Sequence, residues 1–347
     1  MGKHRGPPEN AARLHSRQAM RTLGVLTAAV GALLSAGPQR QPPAPGDIPT
    51  ISVDVEVVNI FFSVRNKQGG LAANLDKADF TVEDDGRPQT IKYFSRHAEL
   101  PLTLGLLVDT SGSQVNLIEV ERQASFQFFS QVLRPGKDQA FLISFDVNVD
   151  LLQDLTESAR LLKAGLQKLR VNTGGGGGVH PGPVPTAGRQ RGTLLYDAVF
   201  LSADEMLKRQ VGRKAIVVIT DGVDFGSRMK ATDAVAAAHK SDVIIYSIYY
   251  LDRQFYGRAG PWGYGDSSAL KKMSEETGGR MFEVSRKKPL KEIYEELQQE
   301  LRSQYSIGYT PPNGGNRGAF RRIKIVPRNR ELRVQARLGY YPKGAAE

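Results

Sequence analysis

Between Leu100 and about Ser303 the sequence alternates apolar, strand-like segments with amphipathic, helix-like segments, and this alternation constrains the fold most. The first strand-like segment, Leu102–Asp109 (LTLGLLVD), is almost entirely apolar, as expected when both faces of a strand are covered. The next segment, residues 115–133, repeats apolar residues every three or four positions, which is typical of a helix. Repeated along the chain, the pattern predicts an α/β fold with a doubly wound, mostly parallel sheet.

The same criteria predict the remaining elements of this region. Further strands are expected at residues 139–146, 149–156, 215–221, 243–250 and 280–284, the second of them as an antiparallel edge. Further helices are expected at residues 158–169, 194–209, 268–277 and 289–304, with one more ending at His239.

Both flanks of the α/β region, residues 51–99 and 304–342, have the period-two alternation of short β-strands. One hairpin is expected around Asp85-Gly86. Because an isolated hairpin is marginal in water, we expect the strands of the two flanks to pack together as one small β domain. In the last strand, apolar residues up to Leu338 alternate with basic residues up to Arg337, which predicts one apolar and one basic face.

The first 36 residues have the layout of a secretory signal peptide. A basic segment precedes the uncharged apolar run Leu23–Leu34, and small residues follow it. The run is too short for an ordinary transmembrane helix. An uncleaved amino-terminal anchor and a buried core helix are the alternatives. Residues 37–50 are a Pro-rich linker, so the expected order is leader (1–36), linker (37–50), β strands (51–99), α/β domain (100–303) and β strands (304–342), in an exported or envelope protein.

Composition excludes several classes of site. The chain has no cysteine, which removes disulfides, thiolate metal sites and cysteine nucleophiles. Its 47 Lys+Arg against 36 Asp+Glu give a net charge of +11, but the excess lies at the two ends. The central body is neutral, so nucleic-acid binding is not expected. The basic carboxyl-terminal β face is either a solvated surface or a contact for an anionic envelope partner.

Oxygen-bearing side chains lie at the carboxyl ends of two predicted strands. Asp109 is the last residue of the first, with Ser111 and Ser113 just after it, and Asp221 is the last residue of the fourth. Ligands of open parallel sheets collect at this edge, and Thr193 opens a helix that can reach it. Hydroxyl and carboxylate oxygens suit Mg²⁺ or Mn²⁺ better than zinc. The sequence therefore predicts a site for a hard divalent cation that retains an exchangeable position.

These five residues resemble the metal-ion-dependent adhesion site of von Willebrand factor A-type domains. The resemblance implies that the serines and the threonine bind the metal directly, that the aspartates act largely through water, and that a partner's Asp or Glu carboxylate completes the coordination. The segments DFTVEDDGRPQTIKYF, YSIGYTP and RLGYYP are similar to the exported bacterial subgroup of VWFA-related acidobacterial domain proteins. The implied function is a non-enzymatic, adhesion-type protein-binding module.

Two segments are expected to surround this site. The glycine run Gly174–Gly178, within the loop 171–192, lacks the following Gly-Lys-Ser/Thr of a phosphate-binding loop and is interpreted as flexible. The insertion 251–268 contains aromatic residues of the kind that dominate binding hot spots, so it is either a partner-binding loop or a loop packed on its own domain. Its candidate partner-binding residues are Phe255, Tyr256, Trp262 and Tyr264.

A hydrolase and an envelope scaffold are the alternatives to the adhesion-type module. A hydrolase needs a base beside its nucleophile, but the sequence has no Gly-x-Ser-x-Gly motif and only His180 is expected near this edge. An envelope scaffold that binds anionic partners through the basic carboxyl-terminal face is the stronger alternative.

Overall fold

The computed structural model describes residues 57–96, 99–172, 192–259, 267–311 and 318–342. The leader, the linker, Gly174–Gly178 and His180 lie outside these ranges. The centre of the fold is a six-stranded sheet. Its strands are β5 (Leu102–Asp109), β6 (Gln139–Phe145), β7 (Val149–Thr156), β8 (Arg213–Thr220), β9 (Val243–Tyr249) and β10 (Met281–Glu283).

The strand order is β10-β9-β8-β5-β6-β7, and only β7 at one edge runs antiparallel to its neighbour. The helices of this part of the chain are α1 (Ile118–Val132), α2 (Ala159–Leu166), α3 (Leu195–Leu201), α4 (Ala231–Lys240), α5 (Arg253–Ala259), α6 (Ser267–Thr277) and α7 (Leu290–Arg302). Thus the predicted α/β class, its mostly parallel sheet and its antiparallel edge are confirmed.

Each face of the sheet carries its own hydrophobic core, which explains why the central strands are apolar throughout. On one face, residues of β5 such as Leu104 and Leu106 pack with α1, α2 and α7, including Phe128 and Leu297. On the other face, Leu107 and its neighbours pack with α3, α4 and α6. All eight residues of β5 are buried. The layers therefore leave the strand ends as the accessible edges of the sheet.

The flanking strands form two four-stranded antiparallel sheets that share one hydrophobic core. One sheet has the order β13-β1-β11-β4 and the other β14-β12-β2-β3, so each combines strands from both ends of the chain. The strands are β1 (Val58–Arg65), β2 (Phe80–Asp84), β3 (Arg87–Gln89), β4 (Tyr93–Ser95), β11 (Tyr305–Tyr309), β12 (Arg321–Pro327), β13 (Arg333–Ala336) and β14 (Gly339–Tyr340). As predicted, both flanks build this β unit, and the hairpin turns at Asp85-Gly86, where both residues have positive φ.

The alternation predicted for the last strand is wrong beyond Ala336. There the chain leaves the first sheet and enters the second, where β14 begins at Gly339. As a result, Leu338 is exposed, whereas Arg337 faces inward and forms an ion pair with Asp242. Arg321 in β12 is likewise buried and paired with Asp84. These two arginines do not belong to an outward basic face.

A buried carboxylate, Glu300 of α7, joins the β unit to the α/β layers. Its oxygens accept hydrogen bonds from Arg65 of β1, from Arg280 at 2.8 Å, and from Gln335 of β13 at 2.8 Å. Glu300 is fully buried, so its charge is balanced by these arginines rather than by water. This network fixes the last helix of the α/β layers against the first strand of the β unit.

Within the described part of the chain, no helix combines the length and the apolar character needed to cross a membrane.

Candidate metal centre

The register of the central sheet brings the two predicted aspartates together. In the β5–β8 pair, Val108 lies opposite Ile219, so Asp109 lies beside Thr220, and Asp221 follows directly. The Thr220 hydroxyl donates a 2.6 Å hydrogen bond to Oδ2 of Asp109. Both aspartates are about 1% exposed. The predicted convergence at the carboxyl edge therefore follows from the parallel pairing of β5 with β8.

The loop after β5 folds back on Asp109 and aligns the two serine hydroxyls. The Ser111 backbone N–H donates to Oδ1 of Asp109 at 2.9 Å, an Asx-type contact that closes the turn. The Oγ atoms of Ser111 and Ser113 are 3.0 Å apart. Gln114, which is fully buried, donates from Nε2 to the Ser113 Oγ at 3.4 Å. Two hydroxyl oxygens and a carboxylate thus lie within one short loop.

Thr193 is held beside the segment that follows Asp221. Its backbone pairs with that of Phe225 through two hydrogen bonds. The Thr193 N–H donates to the Phe225 carbonyl at 2.9 Å, and the Phe225 N–H donates to the Thr193 carbonyl at 3.0 Å. The residue is 6% exposed and lies two positions before the start of α3. The fold therefore brings the backbone of Thr193 to the loop after β8, as expected for a contribution to the same site.

The site concentrates negative charge in a buried region. Burial and, second, the negative charge of Asp221 raise the pKa of Asp109 from 3.8 to about 7, although hydrogen bonds from Ser111 and Thr220 oppose the rise. A third buried carboxyl, Glu121 of α1, has a pKa raised well above 4.5 by burial and by the charges of Asp109 and Asp221. Neither carboxyl oxygen of Glu121 has a hydrogen-bond partner. Such an arrangement is costly without a cation.

The donor set fits a hard divalent cation held partly by hydroxyls. In the described ranges, no cluster of three or more Asp, Glu or His side chains could hold a metal ion by itself. At this edge of the sheet, the hydroxyls of Ser111 and Ser113 lie in the same loop as the Asp109 carboxylate, which the Asp221 carboxylate faces. All of these donors are oxygens, which Mg²⁺ and Mn²⁺ prefer.

No protein-family model matches the chain, and no curated protein matches it. Solved structures with a similar fold include the protein BatB from Bacteroides thetaiotaomicron, with 17% identity over 58% of this chain and 97% of that chain, at a TM-score of 0.42. The vWF domain of the type V pili tip protein Mfa5 from Porphyromonas gingivalis is 11% identical over 58% of this chain and 94% of that chain, at a TM-score of 0.41.

A third similar structure is proximal thread matrix protein 1 from the mussel byssus, with a zinc-occupied MIDAS motif. It is 12% identical over 60% of this chain and 48% of that chain, at a TM-score of 0.43. Because these identities and scores are low, no functional residue is transferred from the three proteins to this chain. The functional case depends on the side chains of the site itself.

The insertion after β9 contains a helix that the sequence analysis did not predict. This helix, α5, brings Tyr256 to the metal centre, where the phenol donates a 2.6 Å hydrogen bond to Oδ2 of Asp221. Tyr256 is 8% exposed, whereas Phe255 is 37% exposed. Trp262 and Tyr264 lie outside the described residues. Of the four candidate partner-binding residues, one therefore faces the site and one faces solvent.

Three residues of the centre were missed by sequence reasoning. Thr220 and Glu121 contact or influence Asp109 but do not belong to a recognisable motif. Asp252, 5% exposed, caps α5 and accepts a 2.6 Å hydrogen bond from Asn116. Like Asp109 and Asp221, Asp252 follows the carboxyl end of a strand, and that position was a signal from which it could have been found.

Proposed function

We propose that this chain is a non-enzymatic binding module that holds Mg²⁺ or Mn²⁺ and presents it to an acidic group of a partner protein. Its ligands are Asp109, Ser111, Ser113, Thr193 and Asp221, some of them acting through water. A bound divalent cation supplies positive charge and an exchangeable coordination position. The observation that carries the proposal is the pair of serine hydroxyls 3.0 Å apart, beside two buried carboxyls of the same centre.

The chain's own residues prepare the site in two ways. Hydrogen bonds from Thr220 and from the Ser111 amide fix the orientation of the Asp109 carboxylate. The carboxyls of Asp109 and Asp221 are buried close together, so a bound cation would offset the repulsion between their charges. The serine and threonine hydroxyls are neutral and would leave a coordination position that a partner's carboxylate can take, which supports an Asp or Glu side chain as the recognised group.

A hydrolytic function has less support. The Ser111 hydroxyl is hydrogen-bonded to the Ser113 hydroxyl, and a second hydroxyl is not a base that can activate a nucleophile. The leader 1–36 supports export, so the proposed partner lies in the envelope or outside the cell.

Mn²⁺ titration of the whole chain, followed by electron paramagnetic resonance of the free ion, tests the metal centre. Ser113→Ala and Asp221→Asn are expected to weaken Mn²⁺ binding at least about tenfold, because each removes an oxygen donor. The matched controls are Ser130→Ala and Asp154→Asn, which alter exposed residues of α1 and of the distal half of β7. Equal Mn²⁺ affinity in the site variants and the wild type would show that the ion does not bind at this centre.

A second measurement separates this function from that of an anionic-surface scaffold. Binding of the whole chain to vesicles containing an anionic lipid is measured with and without a chelator. Tight binding that persists in the chelator and is lost on Arg322→Ala and Lys324→Ala, two exposed residues of β12, would favour the scaffold.

A further inference from the structure

Helix α5 is held against the candidate metal centre by side-chain hydrogen bonds at two positions. At its start, Oδ1 of Asp252 accepts hydrogen bonds from the backbone N–H groups of Gln254 (2.8 Å) and Phe255 (3.2 Å). Oδ2 of the same carboxylate accepts a 2.6 Å hydrogen bond from Asn116, three residues after Ser113. The beginning of the helix is therefore tied to the loop that carries both serines.

The second fastening is the side chain of Tyr256. Its hydroxyl donates to Oδ2 of Asp221 at 2.6 Å and lies near the side chain of Ser113. The phenol thus binds one of the five proposed metal ligands, from the loop after β8, and lies beside another, from the loop after β5. Phe255 packs edge-on against the Tyr256 ring, with ring centroids 5.4 Å apart, and is itself partly exposed.

We propose that Tyr256 is a built-in competitor for the position that a partner's carboxylate takes at this centre. Resting on the proposed metal-binding function, this assigns Tyr256 a role in deciding which partners bind. The neutral phenol donates to a carboxylate oxygen of Asp221 while no partner is present, and an incoming group must displace it to reach the centre. Only a group that interacts with the centre more strongly than a phenol can do so.

The chemistry favours an anionic group over the phenol. The Tyr256 hydroxyl donates its proton to the Asp221 carboxylate in a hydrogen bond, so it is present there as a neutral phenol. A neutral phenol brings no charge to a cation, whereas a carboxylate does. Neutral hydroxyl or amide groups of a partner therefore gain little over Tyr256, and the helix acts as a filter for acidic side chains.

Acetate serves as the carboxylate probe, with Mn²⁺ as the metal, and the measurement is the water-proton relaxation of the Mn²⁺-loaded whole chain. The variant Tyr256→Phe keeps the ring and removes the hydroxyl. Its acetate concentration at half of the relaxation change should be about tenfold lower than that of the wild type, because acetate no longer has to break one charge-assisted hydrogen bond. Tyr93→Phe, at a 62% exposed tyrosine of β4, is the matched control and should behave as the wild type.

Amide hydrogen exchange in the metal-free chain provides a second readout. Residues 254–256 should exchange faster in Tyr256→Phe than in the wild type, because the fastening to Asp221 is lost. Mn²⁺ binding with equal acetate sensitivity in wild type and Tyr256→Phe would overturn the role of Tyr256 and leave the metal centre intact. Failure of both proteins to bind Mn²⁺ would overturn the two proposals together.

Discussion

The Thr220 hydroxyl and the Asp109 carboxylate are joined by a 2.6 Å hydrogen bond across the β5–β8 pair, inside the sheet and away from solvent. The same hydroxyl also accepts a 3.1 Å hydrogen bond from the Gly222 N–H, which shapes the turn that carries Asp221. One threonine thus orients the first aspartate and supports the loop of the second.

Thr220→Val should therefore impair the metal centre without touching a proposed ligand. Loss of a buried donor to Asp109 is expected to weaken Mn²⁺ binding about 10- to 100-fold and to lower the free energy of unfolding by about 1–3 kcal/mol. Thr220→Ser, which retains the hydroxyl, is the control. Mn²⁺ titration and urea unfolding report the two effects, and unchanged Mn²⁺ affinity in the valine variant would contradict the orienting role.

Glu121→Gln should stabilise the metal-free protein at neutral and alkaline pH. The raised pKa of Glu121 means that the unfolded chain releases this proton at lower pH than the folded protein does, so the wild type loses stability as pH rises above about 4.5. The glutamine variant lacks this loss, and we expect a gain of about 1–3 kcal/mol at pH 8.

Urea unfolding at pH 5 and pH 8 in the presence of a chelator measures the Glu121 effect. Glu119→Gln, on the exposed side of the same helical turn, is the matched control. A Glu121→Gln variant whose stability follows the wild type at both pH values would disprove the prediction.

Glu300→Ala should strongly destabilise the joint between α7 and the β unit. The change leaves Arg65 and Arg280 without their buried partner, and breaking such a pair typically costs about 3–5 kcal/mol. Glu292→Ala, an exposed position on the same helix, should cost little. Thermal and urea unfolding compare the two variants, and equal midpoints would show that the network contributes nothing.

His239 should make the protein sensitive to acid. This histidine of α4 is 5% exposed and lies edge-on to Phe320 of the β unit. Burial and, second, the positive charge of Arg337 lower its pKa from 6.5 to about 4, although Asp242 and a backbone hydrogen bond with Gly339 oppose this. Because the unfolded histidine takes up a proton first, stability is full above about pH 6.5 and falls toward pH 4 by up to about 3 kcal/mol.

The variant His239→Gln isolates this contribution. Its free energy of unfolding should fall less between pH 7 and pH 4.5 than that of the wild type, as measured by urea unfolding at matched ionic strength. Parallel pH profiles of the two proteins would be evidence against it.

The central strands could be predicted because strands buried on both faces are apolar at nearly every position. β5 is apolar from Leu102 to Val108 except at Thr103, and the structure gives the same bounds as the sequence. The helix α5 could not be predicted in this way. Its segment, Arg253–Ala259, contains a glycine and no clear apolar period, and contacts of Asp252 and Tyr256 with distant residues hold it.

Only part of the candidate centre could be predicted, because some of its residues are brought together by tertiary contacts alone. Asp109 and Asp221 stand at strand ends, and a rule about parallel sheets is enough to bring them to one edge. Thr220 and Glu121 acquire their roles from strand register and helix orientation. In sequence, one is the last residue of an apolar strand and the other is an ordinary acidic residue near a helix start, so neither stands out.

The β unit combines strands from both ends of the chain, so it can close only late in synthesis. In the described part of the chain, the strands that pair with β1 are β11 and β13, which leave the ribosome more than 200 residues later. β1 must therefore wait for these neighbours while the intervening α/β layers are synthesised, and such long-range closure is intrinsically slow. A chain that stops short of Tyr305 leaves β1 without either of these neighbours, so the β unit can close only after the α/β layers have been synthesised.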